Sequence, residues 1–329
     1  MIIDKHGRVV NYLRLAVTDR CNLRCAYCMP EEGLKWLERS ELLSYEEMLR
    51  ICRMLIKSGI NKIRITGGEP FARKGIMGFL TELSAINGLD ELSITTNGVL
   101  TAPYVQELKK IGIGSVNLSL DTLDKKRFYE ITHRDELDSV MDTLALLLQH
   151  GMEVKINAVV MADKNIDDIV PLVELTRANK VSVRFIEEMP FNGNSGHARA
   201  PEWDHVRITE QIRERFPNLY KIADEPHSTS YNYHIPEHKG SVGVIAAYTR
   251  SFCGSCNRIR ITPEGTLKTC LYDDGMMSIR DVLRQTDNDE DVRDIVLSAI
   301  QGKPKDGWEA EQRRKAGNIV NESMATIGG

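Results

Sequence analysis

The sequence predicts an α/β fold, an incomplete TIM-like (β/α)6 barrel followed by a C-terminal appendage. Three observations carry this expectation. Six apolar, β-branched runs alternate with segments of helical periodicity, the pattern of a parallel sheet with crossover helices. Six such units are too few to close an eight-unit barrel. After about Phe191 the alternation lapses, and Asn192-Gly193-Asn194-Ser195-Gly196 reads as loop. The expected division assigns residues 1–190 to the partial barrel and 191–329 to a C-terminal extension ending in Gly328-Gly329.

The expected strands are Tyr12 to Val17, Lys62 to Thr66, Glu91 to Thr96, Ser115 to Leu120, Glu153 to Val160 and Val181 to Glu187. Between the fourth and fifth, Leu137, Val140, Met141, Leu144, Leu147 and Leu148 repeat at helical spacing, and Gly151 supplies a stop. In the extension, Ser241 to Ala247 and Arg258 to Thr262 read as short strands without crossover helices. Gln301 to Lys315 is charged and poor in apolar residues, so it reads as surface helix and loop. The stretch from Gly196 to Pro236 carries no motif.

A chain of 329 residues, 42% hydrophobic, can bury a barrel-sized core. Its net charge of −4 gives no global basic signature for nucleic acid. The first residues lack the apolar core of a signal peptide and no apolar run approaches membrane-spanning length, so the expectation is a cytoplasmic protein with no membrane partner. In that reducing compartment clustered cysteines are metal ligands more often than disulfides.

Six of the seven cysteines form two trios. Cys21, Cys25 and Cys28 make a C-x3-C-x2-C run, and Cys253, Cys256 and Cys270 a C-x2-C-x13-C set. Three thiolates are one fewer than a closed four-ligand site requires, and a missing ligand leaves a position open to substrate. The first spacing also fits one face of a helix, but the trio follows a strand, Pro30 closes it, and Arg20, Asn22 and Arg24 interrupt any apolar stripe. Arg20 and Arg24 are expected to favour thiolates. Cys52 lies with Met48, Leu49, Leu55 and Ile56 at helical spacing and reads as core. Taken alone, the second trio also fits most of a structural zinc site, with His227, His234 or His238 as fourth ligand.

Two further features belong to the strands. Gly67-Gly68-Glu69-Pro70 follows the second one, where glycine permits positive φ and close backbone approach to a ligand; neither the dinucleotide fingerprint nor the P-loop is matched. Read with period two, Arg14, Arg64, Lys155 and Arg184 stand opposite apolar neighbours, and Asn117 and Ser119 alternate with Val116, Leu118 and Leu120. A parallel sheet covered on both faces is normally apolar throughout, so one face here must line a polar cavity. Several cations in one cavity call for an anionic substrate.

The first trio, with Tyr27 just before its last cysteine, resembles the signature of the radical S-adenosylmethionine superfamily. That resemblance implies a four-iron, four-sulfur (4Fe-4S) cluster held at three irons by Cys21, Cys25 and Cys28, the fourth iron being chelated by S-adenosylmethionine. It also implies cofactor contacts at Tyr27, Gly68, Ser119 and Met189. Both trios, with Gly-Gly-Glu-Pro between them and Cys256-Asn257-Arg258-Ile259-Arg260 within the second, resemble more narrowly the GTP-cyclising lyases of molybdenum cofactor (molybdopterin) biosynthesis, from about Arg8 to Cys270 and again at Gly328-Gly329.

This narrower resemblance implies a second 4Fe-4S cluster on Cys253, Cys256 and Cys270, whose open iron binds the guanine of GTP. Arg14, Arg64, Thr95, Lys155, Arg258 and Arg260 then occupy substrate-contact positions, with Arg184 a weaker addition. The implied reaction takes the ribose 3′ hydrogen of GTP with a 5′-deoxyadenosyl radical and closes the carbon radical onto C8, giving 3′,8-cyclo-7,8-dihydro-GTP without a side-chain acid or base. Implied partners are a reductant protein such as flavodoxin or ferredoxin and a downstream cyclic pyranopterin monophosphate synthase, around a monomer or homodimer; the terminal glycine pair is implied to reach the active site. Two other readings stay open at this point: a radical S-adenosylmethionine enzyme that modifies a peptide, with the second trio holding a relay cluster, and a non-catalytic zinc-binding module.

Overall fold

The β-branched runs become strands where the period-two pattern places them. In the computed structural model, which describes residues 1–29, 33–189, 201–315 and 323–327, these are β1 (Tyr12–Ala16), β2 (Lys62–Thr66), β3 (Glu91–Thr96), β4 (Ser115–Ser119), β5 (Glu153–Val160) and β6 (Val181–Glu187). Crossover helices join them: α1 (Tyr45–Ser58), α2 (Ile76–Ser84), α3 (Val105–Lys110), α4 (Lys125–Thr132), α5 (Leu137–Gln149) and α6 (Ile169–Ala178). The helix α1 begins where Ser44 accepts the Glu47 amide and the Glu47 carboxylate accepts the Ser44 amide, a capping box that satisfies two otherwise unpaired donors. Its inner face buries Met48, Leu49, Leu55 and Cys52, which is fully enclosed as expected.

Beyond β6 the chain adds α7 (His205–Arg215), β7 (Tyr220–Lys221), β8 (Ser230–His234), β9 (Ser241–Ile245), β10 (Arg258–Ile261), β11 (Thr266–Lys268) and β12 (Met277–Ser278). Four helices follow: α8 (Ile279–Leu283), α9 (Asp289–Gln301), α10 (Gly307–Lys315) and α11 (Met324–Ile327). Among the described residues twelve strands form one mixed sheet in the order β12-β11-β10-β1-β2-β3-β4-β5-β6-β9-β8-β7. The two strands expected in the extension do not stand apart from the first six. The strand β10 runs parallel to β1 and β9 runs parallel to β6, so the parallel ladder grows at both edges. Antiparallel strands then finish each edge.

One continuous apolar core runs from Ile2 to Ile300 beneath these helices. A smaller cluster of Tyr272, Ala310 and Ile327 packs beside Met189, Cys270 and Met324. The segment expected as surface helix and loop departs from that expectation at Lys303, which is 2% exposed, and at Ala310, which is fully buried. A charged sequence hides this because a buried lysine with backbone partners reads the same as a solvated one. Among the described residues no helix is long and apolar enough to cross a membrane.

Where β9 joins the sheet, backbones approach too closely for a side chain. A Cβ on Gly240 would lie 2.1 Å from the Val181 carbonyl oxygen and 2.9 Å from that of Asn179, while its amide donates to Thr176 O at 2.9 Å. Gly240→Ala is therefore expected to lower stability by about 1–3 kcal/mol through overpacking. Urea unfolding of the purified chain reads this, and an unchanged midpoint would show that the start of β9 moves freely.

Candidate active site

The sheet register decides which side chains share the polar interior. Arg260, Arg14, Arg64 and Ser93 stand side by side across β10, β1, β2 and β3. Deeper into the sheet Thr95, Asn117 and Lys155 form a second row, and Ser119, Asn157 and Arg184 a third. A single cavity is lined by Arg14, Arg64, Thr95, Arg258 and Arg260, and by Arg184. The same cavity is lined by Tyr27, Gly68, Ser119 and Met189 and by all six cysteines of the two trios. Lys155 is the exception: it is absent from this lining, and its ammonium pairs with Glu153 at 2.7 Å.

Burial and mutual repulsion act on the cations together. Burial and then Arg258 push Arg260 down to about 10, and burial and then Arg64 do the same to Arg184. Both remain protonated near neutrality. Thr95 Oγ1, Asn117 Oδ1, Asn157 Oδ1 and Arg184 Nε are buried without a hydrogen-bond partner among the described residues. Such atoms cost stability unless something polar fills the space. An anionic, hydrogen-bonding ligand satisfies both demands.

The first trio occupies the loop after β1. The Cys28 and Met29 amides donate to Cys25 O at 2.9 and 3.0 Å, closing the turn. The glycine pair packs directly against this loop. A Cβ on Gly67, whose φ is 148°, would meet Thr18 O at 2.6 Å, and one on Gly68 would meet Arg20 O at 2.4 Å. Close approach is therefore required first by the cysteine loop itself. Glu69 anchors the arrangement from a fully buried position, accepting the Asn97 amide at 2.8 Å and the Phe71 amide at 3.1 Å. Burial pushes its carboxyl up to about 7 against those donors. Tyr27 donates to Asp121 at 3.0 Å, and Asp121 also accepts the Val159 amide.

The expectation that Arg20 and Arg24 favour thiolates in this loop is corrected. Burial pushes Cys21 up to about 11 and Cys28 up to about 12, and it raises Cys25 well above the usual thiol range. Arg24 turns to the carbonyl oxygens of Cys21 and Leu23, at 2.7 and 2.9 Å, and lowers Cys21 only slightly. Arg20 is exposed. Three partly buried thiols around a cavity still suit a bound cluster, because donors wait for sulfur charge. The Leu23 amide and the Asn97 amide side chain reach Cys21, and the Ala325 amide reaches Cys28. Such N–H to sulfur contacts are a recognised control on cluster properties.

The second trio differs electrostatically. Burial raises Cys253, and pushes Cys270 up to about 11. Burial also works to raise Cys256, but the charges of Arg258 and Lys303 and hydrogen bonds from Arg258 outweigh it, bringing this thiol down to about 6. The Gly307, Arg258 and Tyr272 amides reach Cys253, Cys256 and Cys270 respectively, so this trio too is furnished for charged sulfur. The zinc-ligand candidates each hold a protein oxygen through Nδ1. His227 Nδ1 lies 2.7 Å from Ser255 O, His234 Nδ1 lies 3.2 Å from Gly240 O, and His238 Nδ1 lies 2.7 Å from the Thr176 hydroxyl. Among the described residues no three His, Cys, Asp or Glu side chains converge on a single-ion site.

Among the lining residues that the sequence did not mark, Glu187 and Arg250 brace the wall. Glu187, fully buried at the end of β6, accepts the amides of His205 and Thr249 at 2.8 Å and the Thr249 hydroxyl, tying α7 and the loop after β9 to the cavity wall. Its signal was a carboxylate following Val181, Val183 and Phe185 on an otherwise apolar face. Arg250 stacks over Tyr272 at 3.6 Å and Trp308 at 4.0 Å while donating to Gly307 O and Glu311. No spacing marked it.

Known proteins resemble this chain at the level of sequence. Residues 15–176 match the family model described as Radical SAM superfamily, and 181–308 match Molybdenum Cofactor Synthesis C. Over 331 aligned residues the chain is 40% identical to GTP 3′,8-cyclase of Peptoclostridium acidaminophilum, covering 100% of this chain and 98% of that one. The chain belongs to the GTP 3′,8-cyclase family. A mitochondrial GTP 3′,8-cyclase of Arabidopsis thaliana is 41% identical over 92% of this chain and 78% of its own length. Molybdenum cofactor biosynthesis protein 1 of Drosophila melanogaster is 40% identical over 95% of this chain but 55% of that protein, so the chain spans about half its length. Among solved structures, Streptococcus suis SuiB shares the fold with a TM-score of 0.65 at 17% identity, over 92% of this chain and 72% of that one.

The contrast between thiols in this family member is directly testable. In cluster-free protein at pH 7, iodoacetamide is expected to alkylate Cys256 well ahead of Cys21 and Cys270, since only a thiol titrating near 6 is mostly thiolate there. Peptide mass spectrometry after timed quenching reads the order; equal rates at all three would refute the electrostatic assignment.

Proposed function

We propose that this chain catalyses the 3′,8-cyclisation of GTP that begins molybdenum cofactor biosynthesis. The observation that carries the reading is convergence: two three-cysteine sets more than two hundred residues apart in sequence border one cavity, with Arg14, Arg64, Arg258 and Arg260 among its lining. The first set would hold a 4Fe-4S cluster with S-adenosylmethionine contacted by Tyr27, Gly68, Ser119 and Met189, and the second set a further 4Fe-4S cluster facing the nucleotide. When bound, these groups supply the reductive cleavage of S-adenosylmethionine and the 5′-deoxyadenosyl radical that takes the ribose 3′ hydrogen.

The protein's own part is positioning. Arg14, Arg64, Arg258 and Arg260, with Thr95, would hold the triphosphate and base, and Arg184 stands ready as a further cation. A cation about 4 Å from a phosphate gains on the order of 4 kcal/mol at an effective dielectric near 20, before desolvation. Lys155 has a weaker claim, since its ammonium already pairs with Glu153. Side chains that fix the ribose and exclude water keep a reactive radical from side reactions.

The same reading treats residues 1–190 as an incomplete (β/α)6 barrel and 191–329 as the extension bearing the second cluster. The break between the two family matches, after residue 176 and before 181, supports a division in this region. Gly328-Gly329 lies outside the described residues. That α11 ends at Ile327, with Met324 in the cavity lining, supports a role for the terminal pair there. A flavodoxin- or ferredoxin-like reductant, delivery of product to cyclic pyranopterin monophosphate synthase, and a cytoplasmic monomer or homodimer complete the proposal.

An anaerobic assay with GTP, S-adenosylmethionine and a strong reductant tests it: 5′-deoxyadenosine and 3′,8-cyclo-7,8-dihydro-GTP should form together. Cys25→Ser is expected to lose about half the iron and all S-adenosylmethionine cleavage. Cys256→Ser should retain measurable cleavage yet give no cyclised nucleotide, and cyclised product from that variant would overturn the role assigned to the second trio.

A further inference from the structure

Lys303 lies between α9 and α10, in a segment the sequence marks as surface, yet its side chain is buried against the second trio. Its ammonium donates to Arg258 O at 2.7 Å and to Thr269 O, and approaches Cys256 Sγ at 3.7 Å. These contacts bridge the two stretches that carry Cys256 and Cys270. The surrounding loop is itself pinned. Arg8 donates to Pro304 O and Lys305 O at 2.7 Å and to Cys253 O at 3.1 Å, and Arg250 holds Gly307 O at 2.8 Å. The Gly307 amide in turn reaches Cys253. One loop thus supplies a charged donor to one cysteine and a backbone donor to another.

A buried lysine is destabilising through desolvation unless it is paired and hydrogen-bonded. Two carbonyl oxygens satisfy hydrogen bonds but not charge. Of these three contacts only the Cys256 sulfur can carry a compensating negative charge, and it does so only as a thiolate, the state in which it ligates metal. We propose that Lys303 is a positioning residue for the second cluster, bracing the Cys256 and Cys270 stretches and placing a fixed positive charge beside a ligating sulfur. This rests on the second trio holding a cluster. A cation at that place favours the form with one more electron, so it raises the reduction potential of that centre alone.

The test uses the full-length chain with Cys21→Ala, Cys25→Ala and Cys28→Ala, which leaves only the second trio to hold iron. Lys303→Gln keeps donors for the two carbonyls and removes the charge; Lys303→Arg keeps the charge. Anaerobic redox titration followed by electron paramagnetic resonance should show a lower midpoint for Lys303→Gln and a midpoint near the parent for Lys303→Arg. Loss of the cluster from folded Lys303→Gln with retention in Lys303→Arg also supports the proposal. An unchanged midpoint in Lys303→Gln, or an equal shift in both variants, overturns it. A parent triple variant that binds no iron at all overturns the second-cluster reading itself, which separates the two failures.

Discussion

Backbone pairing from Tyr12 with Arg258 to Leu15 with Ile261 locks β10 parallel to β1, and the arrangement of the cavity follows from that ladder. It sets Arg260 beside Arg14, which is itself beside Arg64. Because the two strands are parallel, Cys256, just before β10, and the first trio, just after β1, stand toward opposite ends of the pair, and one cavity is lined by both thiol sets. Slipping the register by one residue would turn Arg258 and Arg260 into the apolar layer and Ile259 and Ile261 into the cavity. The fully buried Ile259 and Ile261 oppose that slip.

Holding these cations together is costly. Strands lie about 5 Å apart, and two unit charges at that separation repel by on the order of 3 kcal/mol at an effective dielectric near 20. Unpaired polar atoms of Thr95, Asn117, Asn157 and Arg184 add to the cost. The apolar layer beneath the helices carries the fold while the cavity side gathers positive charge and unsatisfied hydrogen-bonding atoms suited to a ligand. Such a division is common where function and stability compete.

The strands and the cysteine sets were legible in the sequence because each has a short repeat. Period-two alternation located β1 to β6 within a residue at their ends, and the helical repeat from Leu137 to Leu148 located α5. The cations at Arg14, Arg64, Arg258 and Arg260 were legible for the same reason. Lys155 obeys the same alternation yet pairs with Glu153, since alternation fixes a face of the sheet and not the partner a side chain takes there. The thiol electrostatics were misread because Arg24, a near neighbour in sequence, spends its donors on backbone carbonyls, while burial dominates Cys25 and Cys28.

What the sequence determined by itself was therefore local and periodic: which residues form parallel strands, which face of each is polar, and which cysteines fall in closely spaced sets. The tertiary structure alone decided that β9 and β10 join the parallel ladder at opposite edges, that Glu187 and Arg250 brace the cavity wall, and that Lys303 lies buried beside Cys256. The physical reason is range. Backbone geometry imposes its period on neighbours a few residues apart, whereas a pairing across more than two hundred residues and the desolvation of a single lysine depend on contacts that no local pattern encodes.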